Sequence, residues 1–485
     1  MVISVLDQII IWGGIIVIAL IGVYFSKFSK SMDGFFVAGR KMTYPLVLAS
    51  MLASWHGISF YLWLPGAVYE MGWGGWVVTC GSYCVVDMFM GYFFAFKARM
   101  IGQFTVPDLF GRAYGSKAQV VSGFAYFIYM GAFASAEIVA CALVLNFAFG
   151  MNMTLGLILS AVFVTVYCFT AGQYAVFMTD FIQYLLMAFG LAVLCIFSFR
   201  FCMEGGNELL LSKLSEVWSD AKFKPTSDYS ITQIVGFGII GMEAIMSQLY
   251  FSRAYSAKSG KVARDGILSS LYAMISHDWM LVVIGISSVV ILGTAGIANA
   301  EQATLYLSAT ILPKGFLGIV FSALIAAGLS TLNSALIAGA SNLGRDVYQK
   351  AINPKATQKQ IVNVGRAGIV VLSVLMVVIG YFADSLIMLI YTIGQIAMPI
   401  FIVPILGIYF YRKPKSLYAV FLSMGAGAIA SVTWLFLGEP DLLIPMPAGL
   451  FGVGISAIGF FIGNNFGVKK PDLWEQVKHG EITME

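Results

Sequence analysis

Along this chain, runs of about 20 apolar residues alternate with short polar turns, and each run is long enough to cross roughly 30 Å of hydrocarbon. Thirteen such runs are predicted, at 5–25, 44–70, 72–97, 118–149, 152–171, 175–203, 230–252, 268–294, 314–343, 361–382, 385–411, 416–437 and 444–463. Backbone groups in lipid need internal partners, so the runs are expected to be helices. The first does not read as a cleaved leader, because Met1 to Gln8 carries Asp7 and no Lys or Arg, and a basic n-region is missing. The predicted fold class is an all-α polytopic membrane protein whose solvent is the lipid bilayer.

Composition and charge add an orientation. Of 485 residues, 59% are hydrophobic and 11% charged, against roughly 25% charged in soluble domains. With the N-terminus outside, the inner loops hold Lys27, Lys30, Arg40 and Lys41, then Lys97, Arg99, Arg112 and Lys117, then Arg253, Lys258, Lys261 and Arg264. Later inner segments hold Arg345, Lys350, Lys355, Lys359 and Arg366, then Arg412, Lys413 and Lys415, and Lys469, Lys470 and Lys478 in a C-terminus that ends inside. Only Arg200, Lys213, Lys222, Lys224 and Lys314 fall outside, as the positive-inside rule requires. The net charge of +4 follows from this bias and does not point to nucleic acid. The six cysteines lie mostly within spans and have neither zinc-site nor disulfide spacing. With no Walker A motif or Gly-rich nucleotide loop, an ion gradient is the expected energy source.

Some spans break the apolar pattern. Ala53-Ser54-Trp55-His56-Gly57-Ile58-Ser59 sets a His and a Gly in mid-membrane, with Pro65-Gly66 beyond. A second interruption runs from Gly236, Gly238, Gly241 and Glu243 to Met246-Ser247-Gln248. Transporters bind ion and substrate where such helices unwind, although a kinked packing helix has the same composition. The two interruptions open two five-span blocks, 44–203 and 230–411, flanked by segments 1–43, 204–229 and 412–485. Ala327, Ser330, Thr331 and Ser334 recur at helical spacing, so a carbonyl and three hydroxyls share one face, suited to sodium. Close packing of small residues is the alternative reading of that face. Asp87, Glu137, Asp180, Glu243 and Asp278 are intramembrane carboxylates, each costly unless paired or hydrated. No Arg or Lys is expected in the middle of a span, so the site offers negative and neutral groups.

Several segments in order resemble the sodium/solute symporter family of proline, sialic acid, sugar, pantothenate and choline carriers. They are Phe36-Val37-Ala38-Gly39-Arg40, Leu64-Pro65-Gly66-Ala67-Val68, Thr105-Val106-Pro107-Asp108-Leu109, Thr170-Ala171-Gly172 and Thr179-Asp180-Phe181-Ile182-Gln183. Tyr250-Phe251-Ser252-Arg253 and Leu329-Ser330-Thr331, leading to Arg345-Asp346-Val347-Tyr348, complete the set. The resemblance implies a LeuT-like core of ten helices in a 5+5 inverted repeat, one extra helix before it and two after. It implies Na+ as coupling ion, with the main site on the carbonyls of Ala53, His56 and Ala327 and the hydroxyls of Ser330 and Thr331. Some members are similar in having a second site, which here would use Asp180, Ser330, Asn333 and Ser334, with Asn333 departing from the usual hydroxyl. The family's substrate pocket nominates Trp55, Gly57, Phe60, Tyr83, Asp87, Glu137, Glu243, Ser247 and Gln395.

The function expected is Na+-coupled symport of a small polar solute into the cell by alternating access, with no enzymatic step, in the plasma (bacterial inner) membrane and with a monomeric functional unit. Trp55 beside a carboxylate suits an amine-bearing solute, cationic or zwitterionic. Carboxylates with Gln395 would also accept sugar hydroxyls, and a proton relay through His56 and His277-Asp278 is the competing coupling mode.

Overall fold

In a computed structural model of the chain, residues 3–29, 31–170, 172–204, 206–293, 297, 299–439 and 446–478 are described. Lys30, Ala171, the end of the predicted run at 294 and the beginning of the run at 444 lie outside them. Among the described residues, eleven helices are long and apolar enough to cross a bilayer, and the pair Tyr44–Trp55 and Ile58–Met71, bent by 57°, makes a twelfth span. Ala448–Gly463 is apolar but shorter. Each predicted run falls on one of these helices. The largest differences are at polar ends: the helix Gly260–Leu292 begins eight residues before its apolar run, through Lys261, Arg264 and Asp265, because hydropathy cannot tell a charged helical turn from a loop.

Both predicted interruptions are real breaks. The helix Tyr44–Trp55 stops where His56 turns to φ −85°, ψ 71° and Gly57 to φ −68°, ψ 172°. The span Ile231–Ser256 is divided into Ile231–Ile240, Glu243–Met246 and Gln248–Ser256. Its second gap leaves Met246 with a free carbonyl, which accepts the Tyr126 hydroxyl at 2.7 Å.

Two of the prolines inside spans are compensated by a hydroxyl from another helix. Pro65 has no N–H for the carbonyl of Tyr61 four residues back, and Thr304 Oγ1 donates to that carbonyl at 2.9 Å. Pro399 likewise frees the Gln395 carbonyl, which accepts Ser431 Oγ at 2.6 Å. The helix Phe316–Ser341, buried along nearly all its length, runs through the middle of the bundle. Its amino end is capped from the far end of the chain: Asp7 accepts the Gly315 and Gly318 amides at 2.7 and 2.8 Å.

One expectation fails. Arg253, assigned to an inner loop, lies within the span Ile231–Ser256 and is wholly buried. The apolar run fades at Ser252, but the helix Gln248–Ser256 continues through the arginine because an acidic partner on another helix neutralises it.

Candidate functional site

The first break faces the middle of Phe316–Ser341. With the helix ended at Trp55, the Ala53 carbonyl is met by Ser330 Oγ at 2.5 Å and by Thr331 Oγ1 at 3.5 Å. The same two hydroxyls reach Ala327 O at 2.8 and 3.2 Å. Four of the five oxygens nominated for the main sodium site are thus gathered in one buried cluster, and the chemistry of the donors, all neutral oxygens, suits a hard monovalent cation.

The fifth residue, His56, is held by its ring. Its Nε2 lies 2.9 Å from Asp278 Oδ1, and Asp278 Oδ2 accepts Trp76 Nε1 at 3.0 Å and the Tyr83 hydroxyl. Asp278 therefore fixes the residue at the break from the helix Gly260–Leu292. His56 and the pair His277-Asp278, named together as the competing proton relay, are thus neighbours, with the His56 and His277 rings stacked at 5.9 Å.

Around Asp180 a denser cluster forms. Its Oδ2 accepts Ser50 Oγ at 2.5 Å, Ser54 Oγ at 3.3 Å and Arg253 at 3.2 Å. Arg253 also donates to Ser334 Oγ at 2.5 Å, to Ser50 Oγ at 3.1 Å, to Ser252 Oγ at 3.1 Å and to Ser54. Asn333 is turned aside, its Oδ1 accepting the Cys168 thiol at 3.1 Å. Of the four residues nominated for a second sodium site, two are bonded to a guanidinium.

A cavity of about 100 Å³ lies at the two breaks. Trp55, Phe60, Tyr83, Glu137 and Glu243 line it as nominated, joined by Ser59, Trp63, Thr79, Phe133 and Gly241, which sequence reasoning missed. Ser59 and Trp63 continue the face of Phe60 along the helix Ile58–Met71, a helical spacing that could have identified them. Four nominated residues do not line it. Gln395 is tied by its side chain to Gly236 O at 3.2 Å and to the Gly449 amide. Asp87 is buried beside Tyr250, and Ser247 is buried in the second gap. Gly57 stands behind Glu137, where a Cβ would come within 2.3 Å of both carboxylate oxygens.

Glu137 caps the second half of the broken span. It accepts the Ser59 amide at 3.3 Å and the Ser59 hydroxyl, at the amino end of Ile58–Met71. Glu243 accepts the Tyr129 hydroxyl. No Lys, Arg or His is among the residues lining the cavity.

Broken helices around an oxygen cluster and a small pocket are the architecture of a secondary active transporter. The sodium:solute symporter family model matches residues 35–418, and the chain belongs to that family. It is a transporter and not an enzyme, a multi-pass protein of the plasma membrane, and Na+ is its coupling ion. The chain is 25% identical over 467 residues to the osmoregulated proline transporter OpuE of Bacillus subtilis, covering 91% of this chain and 94% of that protein. It is 26% identical over 457 residues to the sodium/pantothenate symporter of Haemophilus influenzae, covering 90% of each. A Na+-coupled sialic acid symporter solved in a substrate-bound outward-open state superposes with a TM-score of 0.82 at 18% identity, over 96% of this chain and 99% of that one. The fold is thus the LeuT-like one.

Proposed function

We propose that the chain carries a small amine-bearing solute, cationic rather than zwitterionic, into the cell together with sodium. The observation that carries the reading is the position of Glu137. In this architecture the amino end of a half-helix, with its free amides and positive dipole end, points at anionic substrate groups. Here a side chain of the protein already holds that place. A solute carboxylate would compete with it and meet its charge, whereas an ammonium group would find two carboxylates and the ring faces of Trp55, Trp63 and Phe60. The reading separates this chain in substrate from its proline-transporting relatives.

Sodium binds first, between the carbonyls of Ala53, His56 and Ala327 and the hydroxyls of Ser330 and Thr331, drawing the broken span onto Phe316–Ser341. That contact organises Trp55 and Ser59 at the pocket, the solute binds more tightly, and the bundle rocks to open inward. The transport unit is a monomer of thirteen spans, with the N-terminus outside and inverted repeats at 44–203 and 230–411. The concentration of Lys and Arg in the loops on one side supports this orientation.

Thermal stability of the purified protein, screened with amines, amino acids including proline, sugars and carboxylates in sodium or potassium salt, tests the reading. Stabilisation by an amine in sodium alone is the expected result. Stabilisation by proline or a sugar with none by any amine would reject it.

A further inference from the structure

We infer that Glu243 is the residue that takes the solute's ammonium nitrogen, and takes it through N–H donors, so that primary and secondary amines are carried and quaternary ones refused. The inference rests on the reading above that the solute is an amine; it adds which carboxylate holds the nitrogen and which amines fit.

The two carboxylates that line the cavity are not equivalent. Glu137 accepts the Ser59 amide at 3.3 Å and the Ser59 hydroxyl at the amino end of Ile58–Met71, where the free amides and the helix dipole offset its charge. Glu243 follows the second break, and Tyr129 is its one hydrogen-bond partner among the described residues. A neutral phenol fills one of roughly four acceptor positions on a carboxylate and supplies no positive charge. Ile240 and Gly241 before it, and Ile390, Ile393 and Gly394 from Leu386–Phe410, line the same cavity without a side-chain donor. A carboxylate in such surroundings is costly until a cation arrives with donors of its own, so the ammonium goes to Glu243 rather than to Glu137.

The hydroxyls that line the cavity are already committed. Ser59 donates to Glu137, Thr79 Oγ1 to the Gly75 carbonyl and Tyr83 to Asp278. None of these protons is left for Glu243, and its open acceptor positions are filled by water or by the solute. A primary ammonium brings three N–H groups and a secondary one brings two. A quaternary nitrogen brings none: it keeps its charge, yet it displaces water from the carboxylate and leaves the acceptors unpaired. A site built to bond N–H groups discriminates against a ligand that lacks them.

The test is binding to the purified full-length protein in sodium, by thermal-shift titration, of ethanolamine, its N-methyl and N,N-dimethyl derivatives and choline, four cations that differ in their N–H groups. Choline is expected to bind about ten- to a hundredfold more weakly than ethanolamine. Choline binding that equals or exceeds that of ethanolamine overturns the inference and leaves the amine reading intact. Glu243→Gln should bring the ratio of the two affinities towards one, and Glu137→Gln should keep it, whatever either does to the affinities themselves. A wild-type ratio in Glu243→Gln, or a ratio lost in Glu137→Gln alone, overturns the assignment of the nitrogen to Glu243. Stabilisation by sodium marks a folded variant, and where Glu243→Gln does not fold the wild-type series decides. Stabilisation by proline or a sugar with none by any of the four amines rejects the amine reading and the inference with it.

Discussion

Gly57 has an ordinary negative φ, so its lack of a side chain is a matter of space: any Cβ would press into the Glu137 carboxylate. Gly57→Ala is therefore expected to cost about 1–3 kcal/mol, as overpacking does, and to weaken solute binding by displacing Glu137. Adding Glu137→Ala removes the clash but leaves the Ser59 amide and hydroxyl unpaired, so the double variant should lose less stability than the sum of the two single variants while solute binding stays lost, which separates the packing effect from the charge. Asp278 gives a second case at this scale. It accepts His56, Trp76 and Tyr83, and Asp278→Ala leaves three donors unpaired at about 1–3 kcal/mol each. Loosening His56 also loosens the carbonyl proposed for sodium, so sodium affinity measured by thermal shift should fall in this variant, although no atom of Asp278 is a proposed ligand. The carboxylates, the two hydroxyls and the glycine at the break were all legible in the sequence as exceptions to an apolar background. Most of their partners were not, because contacts such as Arg253 with Asp180 or Gly57 with Glu137 join helices whose relative rotation no single-chain periodicity specifies.

Helices in this molecule are mended where they are interrupted. The hydroxyls of Thr304 and Ser431 each take up a carbonyl that a proline four residues later cannot reach. Thr304→Val is expected to destabilise by about 1–3 kcal/mol through an unsatisfied buried carbonyl, and Pro65→Ala, by restoring the internal bond, should remove most of that penalty in the double variant. Additive losses in such a cycle, measured by thermal unfolding, would show that the hydroxyl does not serve the proline. Pro65 and Gly57 announced a weakened span in the sequence; the break falls at Gly57, whereas Pro65 is carried inside the helix Ile58–Met71. Arg253 was misread at the same scale: its helix turns polar at Ser252, Arg253 and Ser256, and only the distant Asp180 makes that turn fit for burial.

Across the whole molecule, coupling is a free energy shared by two sites. Sodium must raise solute affinity by the factor by which solute raises sodium affinity, and Ser330→Ala should abolish both effects together in titrations of either ligand. Membrane potential provides a further check. Each positive charge carried inward gains about 2.3 kcal/mol per 100 mV, so a monovalent ammonium solute moving with one sodium ion is expected to give two charges per solute in electrogenic flux. A ratio of one would indicate a neutral solute with one sodium ion, and a ratio of three a second sodium ion with the ammonium solute. The run of apolar segments made the architecture legible at this scale, while the lining of the cavity, drawn from five separated stretches of chain, was legible only in part. The Asp7 cap has a consequence of another kind, in biogenesis. Val5–Phe25 leaves the ribosome well before the amides that satisfy its buried carboxylate, which are encoded 308 and 311 residues later. Before those amides exist, Ser4 is the one local donor to Asp7 in the first turn of the helix, and a carboxylate in lipid costs several kcal/mol, so the final seating of this end of the helix is expected to follow the arrival of Phe316–Ser341. A segment made early is thus seated late.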